Sequence, residues 1–449
     1  AMRFVIIGGD AAGMSAASRA KRSRPEMAVI VLEKSNDVSY SACGMPYNIA
    51  DPERAIEDLV VREAGVFREK QKIDLRTGHE VRSLDRDAKT VSGTTESGEP
   101  FTVAYDKLLI ASGASPIVPD LPGFDLPGVM ALKSLEDGRR IKAYLEQNAV
   151  DHVIVIGMGY IALEMCEALR SRQIDVTMVK PRSVFLPWAD EELAGVVKEE
   201  VEKNGVKVNL GHTIERIEKG PDHQLQVVCS DLQLTGGMVL VAMGVMPNSD
   251  FAIRAGLKSD TKNALAVDRR LRTSDDNIYA AGDCADAYHV LTGKKTYIPL
   301  ALRANRAGWA VADEVCGKEV ELPGIMGTSV FKVFDLVVAR TGLNMEEAGK
   351  NGFDPVSVTI KTRSRAHAHP GSTTIHLSML ADRISGRLLG AQMVGREGVA
   401  QRIDAVAVAL HAGMTVEQFS QCDLAYAPPF SPVWDPLLTT ANQLLKKIG

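Results

Sequence analysis

Short, almost wholly apolar runs punctuate the chain, and several end at a glycine-rich turn. Val5-Ile6-Ile7 leads into Gly8-Gly9-Asp10-Ala11-Ala12-Gly13, and a helical pattern follows from Met14 to Arg22. A second run, Val29-Ile30-Val31-Leu32, closes on Glu33. The same grammar returns with Val153-Ile154-Val155-Ile156, then Gly157-Met158-Gly159-Tyr160-Ile161-Ala162, a helix through Leu169, and Val176-Thr177-Met178-Val179 ending on Lys180. Gly8 and Gly157 stand 149 residues apart. Four apolar residues in a row predict a buried strand. Strand, glycine turn, helix and second strand in succession predict a dinucleotide-binding βαβ unit, and two copies predict two such folds. One glycine-rich turn alone is weak evidence; two in full context carry the reading.

Glycine serves such a turn because backbone N–H groups can then approach a diphosphate at a helix N-terminus, where the helix dipole favours anions. Two further buried strands end at glycine turns, Leu108-Leu109-Ile110 before Gly113 and Val239-Leu240-Val241 before Gly244. Ile278-Tyr279-Ala280 runs into Gly282-Asp283, where the acid is expected to accept a ribityl hydroxyl while a following helix N-terminus faces phosphate. After about Pro323 the texture changes to alternating strands, Val356 to Lys361 and Thr374 to Met379, with a helix from Ala400 to His411 and no dinucleotide signature. The fold class predicted is α/β, with two Rossmann-like domains and a C-terminal α+β domain. Residues 1–112 and 245–322 form the first domain, 113–244 the second and 323–449 the third.

Composition narrows the classes. With 45% hydrophobic and 24% charged residues among 449, the chain is an ordinary globular protein of two to four domains at roughly 100–200 residues each. A net charge of −5 gives no global field for nucleic acid or an anionic membrane. No run approaches the ~18 apolar residues of a membrane span. The first residues enter a strand directly, so no signal peptide is expected, and the cytoplasm is the expected location. Six cysteines (Cys43, Cys166, Cys229, Cys284, Cys316, Cys422) include no Cys-x-x-Cys pair. That spacing excludes zinc-ribbon, ferredoxin and dithiol motifs, and no metal is expected.

These residues resemble the pyridine nucleotide–disulfide oxidoreductase superfamily of FAD enzymes across essentially the whole chain. Val38-Ser39-Tyr40-Ser41-Ala42-Cys43-Gly44-Met45-Pro46-Tyr47 is similar to the single-cysteine motif of the branch holding coenzyme A disulfide reductases, NADH oxidases and persulfide reductases. The tail Asp423 to Ser431 is similar to the same branch. The resemblance implies that Gly8, Gly9, Gly13, Glu33, Gly113 and Asp283 hold FAD. It implies that Gly157, Gly159, Ala162, Glu164, Lys180, Arg182 and Gly244 serve the nicotinamide cofactor. Cys43 is then the redox thiol, and its chemistry needs the thiolate. Asp10 departs from the middle glycine of the fingerprint. A basic residue at Lys180, where NAD-selective folds carry an acid, points to NADPH over NADH.

Within the branch, peroxidases and oxidases place a histidine where this chain has Ala11, which disfavours a dedicated peroxidase. Coenzyme A disulfide reductases carry a small residue there, an arginine matching Arg22 on coenzyme A phosphate, and Ser39 beside the thiol. Lys70 and Lys72 read as a solvated helix end. Of two tyrosines that the partner chain contributes in those enzymes, Tyr426 matches one, while Ala368 replaces the other. His367 or His369 is a candidate proton source in its stead. The expectation is a homodimeric FAD- and NAD(P)H-dependent reductase of coenzyme A disulfide or related per- and polysulfides. Its alternatives are an NAD(P)H oxidase and a non-catalytic redox sensor.

Overall fold

A computed structural model of the chain describes residues 1–449. Its first sheet is parallel, in the order Ile278–Ala280, Lys107–Ile110, Arg3–Ile7, Ala28–Leu32, Asp74–Arg76. The second repeats it with Val129–Ala131, Met238–Val241, His152–Ile156, Asp175–Lys180, Lys207–Leu210. The last four residues of each central strand are buried, which is why they form an unbroken apolar run rather than an alternation. The outer strand differs in origin. Ile278–Ala280 joins the first sheet after the second fold is complete, whereas Val129–Ala131 joins the second sheet before its own first strand.

Helix Ala11–Ser23 buries Met14 and otherwise only alanines, Gly13 and Ser18, a mostly small-residue surface that admits close helix packing. Helix Ala301–Val315 lies against it, and a Cβ on Gly308 would stand 2.3 Å from the Ala12 carbonyl oxygen. Only glycine allows that approach. Between third and fourth strands each dinucleotide fold carries an antiparallel three-stranded meander, residues 79–104 in one and 214–236 in the other. A two-stranded ribbon, Ala114–Pro116 with Val245–Pro247, carries the chain between the folds.

The last domain is an antiparallel sheet in the order Ser329–Val333, Leu336–Gly342, Leu388–Gly395, Thr374–Asp382, Pro355–Arg363. Helices Ala400–His411 and Pro436–Ile448 cover it. No helix is long and apolar enough to cross a membrane.

One expectation fails here. No helix follows Gly282-Asp283. The chain instead forms the short ribbon Ala287–Tyr288 with Lys295–Thr296, and the helix begins at Ala301. The Tyr297 hydroxyl donates to the Asp283 carbonyl at 2.6 Å and pins this detour back on the turn.

Candidate active site

The two glycine turns are built alike. Gly8 N–H donates to Leu32 O at 2.9 Å, and Gly157 N–H donates to Val179 O at 3.0 Å. Both are left-handed, at φ 108° and 116°, and a Cβ on either would lie 2.0 Å from a carbonyl oxygen, that of Ala111 or Ala242. A Cβ on Gly13 would lie 1.9 Å from Gly8 O. Ala162 is fully buried where the second helix meets its strand. Gly159, by contrast, opens into free space, the place a ligand can approach the second helix's N-terminus. Gly113 and Gly244 accept from Asn248 N–H and Ile117 N–H, both at 2.9 Å, and so anchor the connecting ribbon. The residues present fit a dinucleotide at each turn.

Glu33 stands beside the first turn. Its carboxylate accepts from Gly9 N–H at 2.6 Å and from the Ser35 N–H and hydroxyl at 3.0 Å. Asp283 accepts from Lys133 Nζ at 2.9 Å through one oxygen. Lys133 comes from the segment ahead of helix Leu135–Gln147, whose capping box at Ser134 fixes its start. Nothing in the sequence marked Lys133, because its partner lies 150 residues away.

Cys43 sits on a 3₁₀ turn, Ala42–Gly44, that runs into helix Met45–Ile49. The thiol is exposed. Two carbonyl contacts lock the approach to it: Ser39 N–H donates to Gly9 O at 3.1 Å, and Ser39 O accepts from Val61 N–H at 2.7 Å. Ser39 itself is left-handed at φ 49°, a strained conformation for a residue with a Cβ. Behind the thiol, Lys142 from the second fold places its ammonium on the carbonyls of Asn48, Asp51 and Arg54 and on Asn48 Oδ1, and Arg172 donates to Ile49 O at 3.0 Å. The short helix that follows Cys43 thus has a cation on each of its last two carbonyls, Asn48 and Ile49, where a helix end favours positive charge.

Groups from both folds face the thiol. Burial and then Glu164 push the Cys43 pKa up, while Lys133 opposes them. Burial, with Glu167 beside it, pushes Glu164 up to about 7. Tyr160, the first residue of the second fold's helix, is pushed up to about 12 by burial and by Cys43. Sequence reasoning missed Tyr160, whose ring lies half exposed beside Phe331 at 6.3 Å. The other cysteines take no part. Cys166, Cys229 and Cys284 are buried, and Cys316 and Cys422 lie elsewhere and partly covered.

The basic run on the first helix sorts itself. Arg19 pairs with Asp313 at 2.8 Å and lies over the Trp309 ring, Lys21 donates to Pro25 O and Met27 O, and Arg24 donates to Cys316 O. Arg22 is exposed and its side chain has no bond within the protein. It stands ~17 Å along the helix from Ala11 at 1.5 Å per residue. Lys180 is half buried, its Nζ donating to Phe185 O at 3.2 Å, whereas Arg182 is exposed. Tyr426, His367 and His369 are not gathered at Cys43. They cluster in the C-terminal domain, where Ala366 N–H donates to Pro428 O at 3.0 Å. Tyr426, Phe430, Val433 and Trp434 are all exposed there.

Comparison with known proteins shows the family. The family model for pyridine nucleotide-disulphide oxidoreductases matches residues 2–308, and the model for the dimerisation domain of these enzymes matches residues 328–437. A CoA-dependent NAD(P)H sulfur oxidoreductase of Pyrococcus furiosus is 40% identical over 98% of this chain and 99% of its own. An NADH oxidase of Methanocaldococcus jannaschii is 34% identical over all of both chains. The solved NAD-dependent persulfide reductase of A. fulgidus superposes with a TM-score of 0.95 at 36% identity, over 99% of this chain and 83% of its own. With two equivalent glycine cradles, one exposed thiol at which both folds meet, and a dimerisation domain behind them, this chain belongs to the pyridine nucleotide-disulphide oxidoreductase family of FAD- and NAD(P)H-dependent enzymes.

Proposed function

We propose that this chain is a homodimeric reductase of coenzyme A disulfide, or of coenzyme A-linked per- and polysulfides, working through Cys43 alone. The carrying observation is that elements of both dinucleotide folds meet at one exposed thiol, while every other cysteine is buried or partly covered. A dithiol mechanism has no second sulfur here. Residues 1–112 and 245–322 hold FAD, 113–244 hold NAD(P)H, and 323–449 dimerise.

The Cys43 thiolate attacks one sulfur of the substrate. A Cys43–S–S–R bond forms, the substrate S–S bond breaks, and one thiolate leaves. FAD, when bound, supplies the two-electron link between NAD(P)H and sulfur. Two electrons then cleave the Cys43–S–S–R bond, which restores the Cys43 thiolate and releases the second thiol. Lys133 is the cation that favours the Cys43 thiolate, and Ser39 sets the turn that presents it. Glu164 raises the thiol pKa while ionised and stops doing so once protonated near pH 7. Arg22, the unengaged cation of its run, takes a coenzyme A phosphate while the pantetheine arm reaches back along the helix to Ser39 and Cys43. The outgoing thiolate is protonated by Tyr426 of the partner subunit. His367 and His369, on the loop bonded to the same tail, line the substrate mouth.

The nicotinamide preference we propose is NADPH, read by Arg182 first and Lys180 second. Arg182 is free to meet a 2′-phosphate, whereas Lys180 must first leave Phe185 O. Oxygen reduction is a side activity, because Ala11 offers no imidazole to manage peroxide. The test is steady-state NAD(P)H oxidation with coenzyme A disulfide, with polysulfide plus coenzyme A, and with oxygen alone. Turnover on a sulfur substrate well above oxygen uptake is expected. NAD(P)H oxidation wholly accounted for by oxygen consumption would establish the oxidase instead, and no turnover with any acceptor would leave a sensor.

A further inference from the structure

Asp10 occupies the position where a dinucleotide turn ordinarily has its middle glycine, and its carboxyl performs none of the usual duties of an acid there. It precedes helix Ala11–Ser23, yet its side chain caps no backbone N–H. Oδ1 is buried and has no hydrogen-bond partner. The groups facing it come from four elements. Glu33 ends the second strand; Tyr40 and Cys43 belong to the thiol segment; Asp283 follows the last strand of the sheet; Lys133 precedes helix Leu135–Gln147. Three of these neighbours, Asp10 included, are carboxyls against one cation. That cation is already bonded to Asp283 at 2.9 Å, and the carboxylate of Glu33 is already taken by Gly9 and Ser35. Burial, relieved in part by the Tyr40 N–H, pushes the Asp10 carboxyl up to about 6.

A diphosphate bound on the Gly8–Gly13 turn brings two further negative charges to the same helix start. With one oxygen unpartnered and the one facing cation already held by Asp283, the Asp10 carboxylate is poorly placed to offset that repulsion, whereas the neutral acid does not repel and can donate. We propose that Asp10 takes up one proton from solvent as FAD binds, so that the holoenzyme holds a neutral acid in its diphosphate turn and cofactor affinity is linked to pH. The balance is simple: ionised Asp10, one proton and FAD give the complex with Asp10 protonated. No bond other than the O–H forms.

The sign follows. Below about pH 6 the free protein already carries the proton, and the dissociation constant for FAD is flat. Above that value a proton must be imported, and the dissociation constant climbs by up to about tenfold per pH unit. FAD itself titrates outside this window. The measurement is the FAD released from diluted holoenzyme, followed by its fluorescence, from about pH 6 to about pH 9. Wild type should lose FAD progressively with rising pH. Asp10→Asn, which keeps the shape without the charge, should hold FAD with no such slope, and Asp10→Gly, which restores the fingerprint, should do the same should the amide fold poorly. Reconstitution of wild-type protein near pH 8 in two buffers of different ionisation heat should count about one proton taken up, and none in the variants. A pH-independent dissociation constant in wild type overturns the proposal. So does a wild-type slope that survives in both variants.

Discussion

Cys43 works among opposed charges, and the opposition can be measured. Glu164 disfavours its thiolate and Lys133 favours it. Replacing Glu164 with Gln should lower the Cys43 pKa and raise its alkylation rate by iodoacetamide a few-fold at pH 8, since one pKa unit is about 1.4 kcal/mol. The gain should fade below about pH 7, where Glu164 itself takes a proton. Lys133→Met should do the reverse; equal rates in all three proteins would show that these charges do not reach the thiol. At this scale the sequence was legible wherever a residue type is dictated by local geometry. Gly8, Gly13 and Gly157 are such cases, because a Cβ at each meets backbone. Lys133 and Tyr160 were not legible. Each acts through a partner brought near by the fold rather than by spacing along the chain.

At the level of elements, the strand–turn–helix units were plain because strands buried on both faces leave continuous apolar runs. The two meanders escaped notice because their outer strands bury only scattered residues, as in His79–Asp85 and Ile214–Lys219. The helix expected after Asp283 was a misreading of a glycine-acid turn that in fact opens a ribbon. The end of the second fold's second strand carries its own prediction. Arg182→Ala should lower kcat/KM for NADPH by about ten- to a hundredfold, the worth of one charge-assisted bond, with little change for NADH. Lys180→Glu should shift the ratio toward NADH as well. A wild-type enzyme that strongly prefers NADH would refute the assignment. Gly13→Ala should yield protein without bound FAD, since its Cβ would stand 1.9 Å from Gly8 O; a yellow, fully loaded variant would show that the turn can yield.

The whole molecule places Tyr426, Phe430, Val433 and Trp434 on an open surface of the C-terminal domain. A dimer would cover that surface, and in the proposed function it brings Tyr426 to the opposite thiol. Mixed dimers of Cys43→Ser and Tyr426→Phe chains test it. If the site is shared, both defects fall on one site and the other is intact, so activity rises above either parent. If Tyr426 acts within its own chain, every site carries a defect and verified heterodimers gain nothing. The three-domain outline was legible because the glycine grammar occurs twice and then stops. The proposed sharing of a site between chains rests on the resemblance alone.

In the proposed function one thiol carries all of the sulfur chemistry. Rapid mixing of Cys43→Ser holoenzyme with NADPH, then with coenzyme A disulfide, addresses it most directly. Flavin bleaching by NADPH should proceed at nearly the wild-type rate, and the disulfide should then fail to restore the colour. Reoxidation by disulfide at the wild-type rate in this variant would contradict the proposed function.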